Sequence, residues 1–177
     1  MSLNIEPTKN FDNLFFSSTE ISGIHLKVFS SSKGISHIFI NKKKTKIEAS
    51  NLTKIQPDDL LMFNVFNQLN EYFNNKRKEF SIPLDLQGSE FQIKVWNELL
   101  KIPYGKTISY KTLSERLGDK NLVRAVGKAN GSNPIPIIVP CHRVINADGS
   151  LGGYSAGLSI KEKLLELEGV LSLKLFN

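Results

Sequence analysis

The sequence predicts an α/β protein of the α+β kind, with a small N-terminal β-sheet and one helix followed by a mainly helical C-terminal half. Two observations predict it. Apolar residues alternate with period two only in the first third of the chain, and capped stretches with helical spacing follow from residue 57 onward. With 177 residues, 40% of them hydrophobic, the chain has enough apolar material to bury a core. We place the boundary near residue 85, between an N-terminal supporting domain (1–85) and a C-terminal domain (86–177).

The N-terminal sheet is predicted from residue 23 onward. Alternating apolar residues at 24–28 and 35–40 flank a Ser/Lys/Gly turn, and a further short strand is expected at 45–48. The lysine run 42–44 between them is typical of a solvated turn or a protected edge strand. The polar residues 1–10 are expected to be frayed.

One helix completes the N-terminal half. It is expected to begin at the acidic pair Asp58-Asp59 and to end in the basic stretch 76–78, since these charges suit the two ends of a helix. Pro83 excludes a helix around it, so residues 80–86 are expected to be extended.

The C-terminal half is predicted to contain short helices with recognisable caps. Ser89 can cap a helix over 90–100, and Ser109 can cap another over 110–117, which Gly118 ends. A further helix, 122–129, is expected to open at Asn121.

The net charge of +6 lies entirely between Lys101 and Arg143, a segment with eight basic and two acidic residues. Such a segment indicates a face that binds a polyanion, although a solvated helical surface has the same composition. Other classes are excluded. No apolar run approaches the roughly 18 residues of a membrane helix. One cysteine and three scattered histidines permit neither an internal disulfide nor a zinc cluster, so we expect no metal and no cofactor.

The two short helices joined at residues 118–120 match the geometry of a helix-turn-helix motif, a pattern that ordinary helical hairpins share. The second helix carries Arg124 and Lys128 but also the small residues Ala125 and Gly127. Small side chains offer few hydrogen bonds to base edges. The pattern therefore predicts DNA binding with low sequence preference.

A proline-rich apolar stretch, 133–140, leads directly to the single cysteine, Cys141, which is followed by His142 and Arg143. A lone cysteine in an apolar setting is often an inert core residue. A neighbouring histidine or cation favours the thiolate form, which makes a thiol nucleophilic. We therefore expect the two following residues to activate Cys141.

The motif Pro140-Cys-His-Arg-Val144 resembles the signature of the O6-alkylguanine-DNA alkyltransferases, the methylated-DNA–protein-cysteine methyltransferases. The resemblance extends over residues 88–169. Its further motifs are Arg124-Ala-Val-Gly, Asn133-Pro, Gly153-Tyr-Ser, Lys161-Glu162 and the run Leu164-Leu-Glu-Leu-Glu-Gly169.

The resemblance implies a ribonuclease H-like N-terminal domain and a C-terminal domain like a winged helix-turn-helix. It also implies a DNA repair protein that flips an alkylated guanine out of duplex DNA and moves the alkyl group irreversibly from O6 to Cys141. O4-alkylthymine is a further possible substrate. We expect a monomer in the cytoplasm, associated with the nucleoid, or in the nucleus of a eukaryote.

The resemblance also implies roles for individual residues. In the reaction, Cys141 would accept the alkyl group, His142 would act as a base through a water, and Glu168 would orient the imidazole. Asn133 would brace the bend before the cysteine, and Tyr110 would donate its hydroxyl to the guanine. Arg124 would fill the place of the flipped base. The remaining expected DNA contacts are Tyr110, Ala125, Gly127 and Lys128, and the expected pocket residues are Val144, Tyr154, Ser155 and Trp96.

Two other classes of protein fit parts of the sequence. A DNA-binding regulator could use the helix-turn-helix and keep Cys141 as a structural or redox-sensing thiol, but its second helix would need side chains that read bases. A Cys-His hydrolase would not require the basic segment.

Overall fold

The computed structural model describes residues 11–42, 47 and 49–171, and it begins with a four-stranded sheet. The strands are β1 (Phe11–Ile21), β2 (Ile24–Ser31), β3 (Gly34–Ile40) and β4 (Ala49–Lys54), in the order β3-β2-β1-β4. β2 runs antiparallel to β1 and β3, while β4 is parallel to β1. A small N-terminal sheet with helices confirms the predicted α+β class.

β1 is a strand that the sequence pattern did not predict. Adjacent aromatic residues, Phe15 and Phe16, break its alternation, and polar residues occupy 17–20. The strand is fixed instead by its position, because it pairs with β2 on one side and β4 on the other. The strand expected at 45–48 lies, apart from residue 47, outside the described residues, as do the segment 1–10 and most of the lysine run 42–44.

The N-terminal helix, α1 (Leu60–Phe73), begins as predicted: the Asp59 side chain accepts a hydrogen bond from the Leu61 amide at 3.2 Å. Its predicted end in the basic stretch 76–78 is wrong. Asn75 adopts a left-handed φ of 58°, and the Lys76 amide closes the last turn on the Glu71 carbonyl at 2.8 Å. Asparagine tolerates this conformation, so it ends the helix before the lysines.

The segment around Pro83 is extended, as predicted, and pairs with β3. The Ile35 amide donates to the Pro83 carbonyl at 2.9 Å, and the Asp85 amide donates to the Ile35 carbonyl at 2.8 Å. Gly34 permits this approach, because a Cβ there would lie 2.3 Å from the Pro83 oxygen. The same hydrophobic core continues from the sheet into the C-terminal half, so the domain boundary near residue 85 stays a prediction.

The C-terminal half contains four helices and a two-stranded parallel sheet within the described residues. They are α2 (Glu90–Leu100), β5 (Ile108–Ser109), α3 (Tyr110–Arg116), α4 (Val123–Gly131), β6 (Val144–Ile145) and α5 (Leu158–Leu167). Ser89 and Gln92 form a reciprocal capping box on α2, and Ser109 caps α3, both at the predicted residues.

The start of α4 differs from the prediction. Asp119, not Asn121, is the capping residue, and it caps a 3-10 turn over Lys120–Leu122 that leads into α4. Its carboxylate accepts from the Asn121 amide at 2.8 Å. Within the part of the chain described, no helix has both the length and the apolar content needed to cross a membrane.

Candidate active site around Cys141

The single cysteine lies in a 3-10 turn, Cys141–Arg143, at the end of the proline-rich segment. This segment is sharply bent: the Val139 amide donates to the Ile135 carbonyl at 2.9 Å, and Ile137 between them has a φ of 76°. A β-branched residue in that conformation is strained, and the surrounding core must hold it there. The bend delivers Cys141 to a buried position, with 2% of its surface exposed.

Asn133 connects the two ends of this bend. Its amide nitrogen donates to the Val139 carbonyl at 2.8 Å and to the Cys141 sulfur at 3.0 Å, while its oxygen accepts from the Ile135 amide at 3.0 Å. The structure thus places Asn133 where a brace would have to be, with a donor aimed at the sulfur.

Arg143 does not act on the Cys141 thiol as expected, and burial of the sulfur disfavours the thiolate in the resting protein. Burial raises the pKa of Cys141 to about 11, although the Asn133 hydrogen bond and the charge of Lys161 act in the opposite direction. The Arg143 guanidinium points to Glu168 instead. At neutral pH the resting residue is a thiol, and a base must remove its proton.

Glu168 lies at the C-terminal end of α5 and is 5% exposed. Its Oε1 lies 2.9 Å from His142 Nε2, and Arg143 contacts both carboxylate oxygens, with Nε 2.9 Å from Oε2 and Nη2 2.9 Å from Oε1. Burial alone would raise the pKa of Glu168. The hydrogen bonds from His142 and Arg143 outweigh burial and lower the pKa to about 2.

This arrangement defines the protonation state of His142. Burial lowers the pKa of His142, against the opposing effect of Glu168, so the imidazole is neutral at pH 7. Because the Glu168 carboxylate can only accept, Nε2 carries the hydrogen. The other nitrogen, Nδ1, is buried and has no hydrogen-bond partner among the described residues. Its lone pair is available to accept a proton.

Two residues that contact Glu168 were not expected there. Arg143 was expected to act on Cys141, and nothing in the sequence indicated that it would bind Glu168. Tyr72, on α1, donates its hydroxyl to Glu168 Oε1 at 2.7 Å, yet its helical spacing is that of an ordinary core residue. Only the fold brings these groups to the carboxylate.

Lys161, on α5, is a buried lysine that connects two loops of the site. Its ammonium donates to the Val144 carbonyl at 2.6 Å and to the Leu151 carbonyl. Burial lowers the pKa of Lys161 to about 8, although the nearby Cys141 raises it. Lys161 belongs to the motif Lys161-Glu162, but nothing in the sequence spacing indicated that its side chain would be buried.

The structure brings Tyr110 and Tyr154 to Cys141. Burial and then the Cys141 thiol raise the pKa of both phenols, that of Tyr154 well above its usual range. Gly152 lies against Tyr110, since a Cβ at Gly152 would be 3.2 Å from the ring and 3.4 Å from the hydroxyl. Both phenols stay protonated at neutral pH and can donate a hydrogen bond.

The other predicted pocket residues lie in different places. Val144 is buried, and its carbonyl accepts from Lys161. Ser155 is exposed and lines a cavity of about 260 Å³ together with β3 and Asn133. The Trp96 indole is buried and donates to the Ala129 carbonyl at 2.9 Å. Trp96 therefore supports α4 from the core, and no described contact places it in the base pocket.

Four of the predicted DNA-binding residues lie on α4, and the fifth, Tyr110, is the first residue of α3. Arg124, Ala125 and Lys128 are exposed, and Gly127 has open space where a Cβ would be. Their spacing places Arg124, Ala125 and Lys128 on one face of the helix, so a basic surface that includes a small residue faces solvent. In the described residues no group of three or more His, Cys, Asp or Glu side chains could hold a metal ion.

Comparisons with known proteins agree with this site. Residues 90–170 match the family model described as 6-O-methylguanine DNA methyltransferase, DNA binding domain, and residues 25–86 match its ribonuclease-like domain. A methylated-DNA–protein-cysteine methyltransferase of Methanosarcina acetivorans is 45% identical over 142 residues, which cover 77% of this chain and 86% of the relative. One from Mycobacterium tuberculosis is 52% identical over 112 residues, covering 63% and 68%.

Solved structures are similar over nearly the whole chain. The O6-methylguanine methyltransferase of Mycobacterium tuberculosis superposes with a TM-score of 0.78 at 35% identity, covering 92% of this chain and 97% of that one. The OGT protein of the same organism in complex with DNA gives a TM-score of 0.76 at 38% identity, covering 88% and 92%. The resemblance in the sequence motifs is thus confirmed, and this chain belongs to the 6-O-methylguanine DNA methyltransferase family.

Proposed function

We propose that this protein repairs DNA by direct reversal, moving the alkyl group of O6-alkylguanine onto Cys141. One observation carries the proposal: a buried cysteine beside a neutral histidine whose free nitrogen can take a proton, on a chain related to methylated-DNA–protein-cysteine methyltransferases. A DNA substrate also leads us to propose that the protein works in the compartment that holds the genome, the cytoplasm of a prokaryote or the nucleus of a eukaryote.

The first chemical requirement is a nucleophile. His142 Nδ1 accepts the thiol proton through a water, and Glu168 stabilises the imidazolium that forms. The resulting thiolate is held by the Asn133 amide and faces the positive charge of Lys161. In this scheme the thiolate forms only when the base acts, which protects a buried thiol with a high pKa from other reactions.

The second requirement is a leaving group. The S–C bond forms as the C–O6 bond breaks, and the electron pair moves onto the guanine ring. Tyr110 donates a hydrogen bond to the ring as this charge develops, a role supported by its position beside Cys141 and by its raised pKa. In the net reaction, one proton passes from the thiol to guanine, so no cofactor or further reactant is needed.

The third requirement is access to the base. An O6 substituent inside a duplex cannot reach a buried thiol, so the nucleotide has to rotate out of the stack. The exposed face of α4 supports binding to the backbone, with Lys128 on phosphate and Arg124 in the space of the flipped base. The small residues Ala125 and Gly127 permit close approach without reading sequence.

The product is a thioether, which water does not cleave, so each molecule acts once. The direct test is to incubate the protein with a duplex carrying O6-methylguanine and to measure its mass. We expect one added methyl group on the peptide containing Cys141, in proportion to the DNA repaired. If Cys141 stays unmodified and the base stays unrepaired, the proposal is contradicted.

A variant separates chemistry from binding. Cys141→Ala should abolish transfer and leave binding to duplex DNA largely intact, because the sulfur is buried away from the α4 face. Electrophoretic or fluorescence titration measures the binding, and loss of both activities together would indicate a structural cysteine.

A further inference from the structure

One contact links the N-terminal half of the protein to the reactive residues. Tyr72 is on α1, and the Glu168 that accepts its hydrogen bond lies 96 residues further along the chain. Oε1 of Glu168 accepts from the Tyr72 hydroxyl at 2.7 Å and also lies 2.9 Å from His142 Nε2. Tyr72 and His142 therefore share one carboxylate oxygen, which also accepts from Arg143 Nη2 at 2.9 Å.

The position of this hydroxyl is fixed by its surroundings. Tyr72 is completely buried, and its ring contacts Phe73 and Phe80, each with ring centroids 5.4 Å away, and Tyr104 at 6.1 Å. Burial and then Glu168 raise the pKa of Tyr72 well above its usual range. The phenol therefore stays protonated and remains a donor at neutral pH.

We propose that Tyr72 is a positioning residue for alkyl transfer, which sets the basicity of His142 by donating to the Glu168 oxygen that His142 also uses. The inference rests on the proposed function and extends it, because it gives the N-terminal half of the protein a part in the reaction. Tyr72 acts only through Glu168 and does not touch the thiol.

The physical reason is a sharing of negative charge. A donor on Oε1 withdraws charge from the oxygen that would otherwise stabilise the imidazolium, so the Tyr72 bond keeps His142 less basic. Other groups face the same atoms and must be held constant. Arg143, Tyr104 and the Gly105 amide face Glu168, while Arg143 and Lys161 also face His142.

The experiment compares two tyrosine hydroxyls. Tyr72→Phe removes the donor and keeps the ring, whereas Tyr104→Phe removes a hydroxyl from an adjacent ring. The Tyr104 hydroxyl donates to the Leu167 carbonyl at 2.9 Å and not to the carboxylate. The pKa of His142 is read directly from its ring nitrogens by NMR in the full-length protein, with His25 and His37 as internal references. Single-turnover transfer is measured over the same pH range.

In Tyr72→Phe we expect the pKa of His142 to rise by about one unit, the size of effect expected from one hydrogen bond to a charged group. The apparent pKa below which the transfer rate falls should rise by the same amount. Transfer at a pH below that pKa should therefore be about tenfold slower, while the rate at high pH stays the same. Incorporation of 3-fluorotyrosine at position 72 gives a stronger donor, so both should move in the opposite direction.

Two results would overturn the inference: an unchanged pKa of His142 in Tyr72→Phe, or an equal change in Tyr104→Phe. If Tyr72→Phe does not fold, the fluorotyrosine protein, which keeps every contact, decides the question by the same two readouts. Absence of transfer in the unaltered protein would contradict the proposed function instead. The NMR comparison would still show whether Tyr72 controls His142.

Discussion

At the scale of single residues, the chemistry of Cys141 depends on groups that face it in space as well as on His142, which follows it in sequence. Arg143 is two positions away, yet its guanidinium holds Glu168, and burial raises the pKa of the thiol to about 11. Asn133 and Lys161, eight and twenty positions away, are the groups that favour the thiolate. Because the resting residue is a thiol, the proposed transfer uses the neutral His142 as a base.

Asn133→Ala tests the brace beside the thiol. The change removes hydrogen bonds to the Val139 carbonyl, the Ile135 amide and the Cys141 sulfur, and it leaves buried backbone groups unpaired. We expect a loss of about 2–3 kcal/mol in the free energy of unfolding and slower transfer, measured by denaturant titration and single-turnover kinetics. Unchanged stability of this variant would show that the bend before Cys141 does not depend on the Asn133 hydrogen bonds.

At the scale of elements, helix starts that depend on one side chain were predictable, because a cap is a local interaction between that side chain and the first backbone amides of the helix. Ser89 and Ser109 cap α2 and α3 as expected. Elements fixed by pairing were not predictable: β1 depends on its two neighbouring strands. The loop that places Gly152 against Tyr110 also depends on packing, so its effect on Tyr110 has to be tested by substitution.

Gly152→Ala should slow transfer by displacing Tyr110, because the added Cβ would lie 3.2 Å from the tyrosine ring and equally close to Asn146 Oδ1. Gly149→Ala is the matched control. Gly149 also has a positive φ, 85° against 65° for Gly152, but a Cβ there meets nothing within 4 Å. Both variants should lose about 1 kcal/mol of stability from backbone strain, and only Gly152→Ala should lose transfer rate. Equal rates would mean that the loop does not position Tyr110.

Arg124→Ala should slow transfer from duplex DNA about tenfold, because an extruded base without a replacement costs a few kcal/mol of lost stacking. Transfer from free O6-benzylguanine, which needs no flipping, should change little. Lys128→Ala, on the same exposed face of α4, is the control. It should weaken duplex binding and reduce the slope of log binding constant against log salt concentration by about one. It should not slow transfer from duplex DNA more than transfer from the free base. Equal slowing with both substrates would exclude Arg124 from base extrusion.

At the scale of the whole molecule, buried titratable groups make stability depend on pH. Burial lowers the pKa of His142 and, to about 4, that of His37. Below pH 6.5 the unfolded chain binds these protons before the folded protein does, so stability falls as the pH falls. For His37 the loss is complete near pH 4. The depressed pKa of Glu168, about 2, adds a second decline from about pH 4.5 downward.

We therefore expect the free energy of unfolding to decrease steadily from pH 7 to pH 4 in denaturant titrations. His37→Gln should remove part of this decline, since His37 lies on β3, away from the reactive turn. A pH-independent free energy between pH 7 and pH 4 would show that these histidines bind protons equally well in the folded and unfolded protein.

The sequence by itself determined the α+β class, most helix starts, the basic segment and the identity of the reactive cysteine, because patterning, capping and a contiguous motif are local properties. Tertiary structure alone decided where Arg143, Tyr72 and Lys161 act. Arg143 and Tyr72 meet at Glu168, and Lys161 reaches Val144, across separations of 17 to 96 residues that no periodicity records. Burial, which sets the pKa of Cys141 and His142, arises only when both halves of the chain share one core.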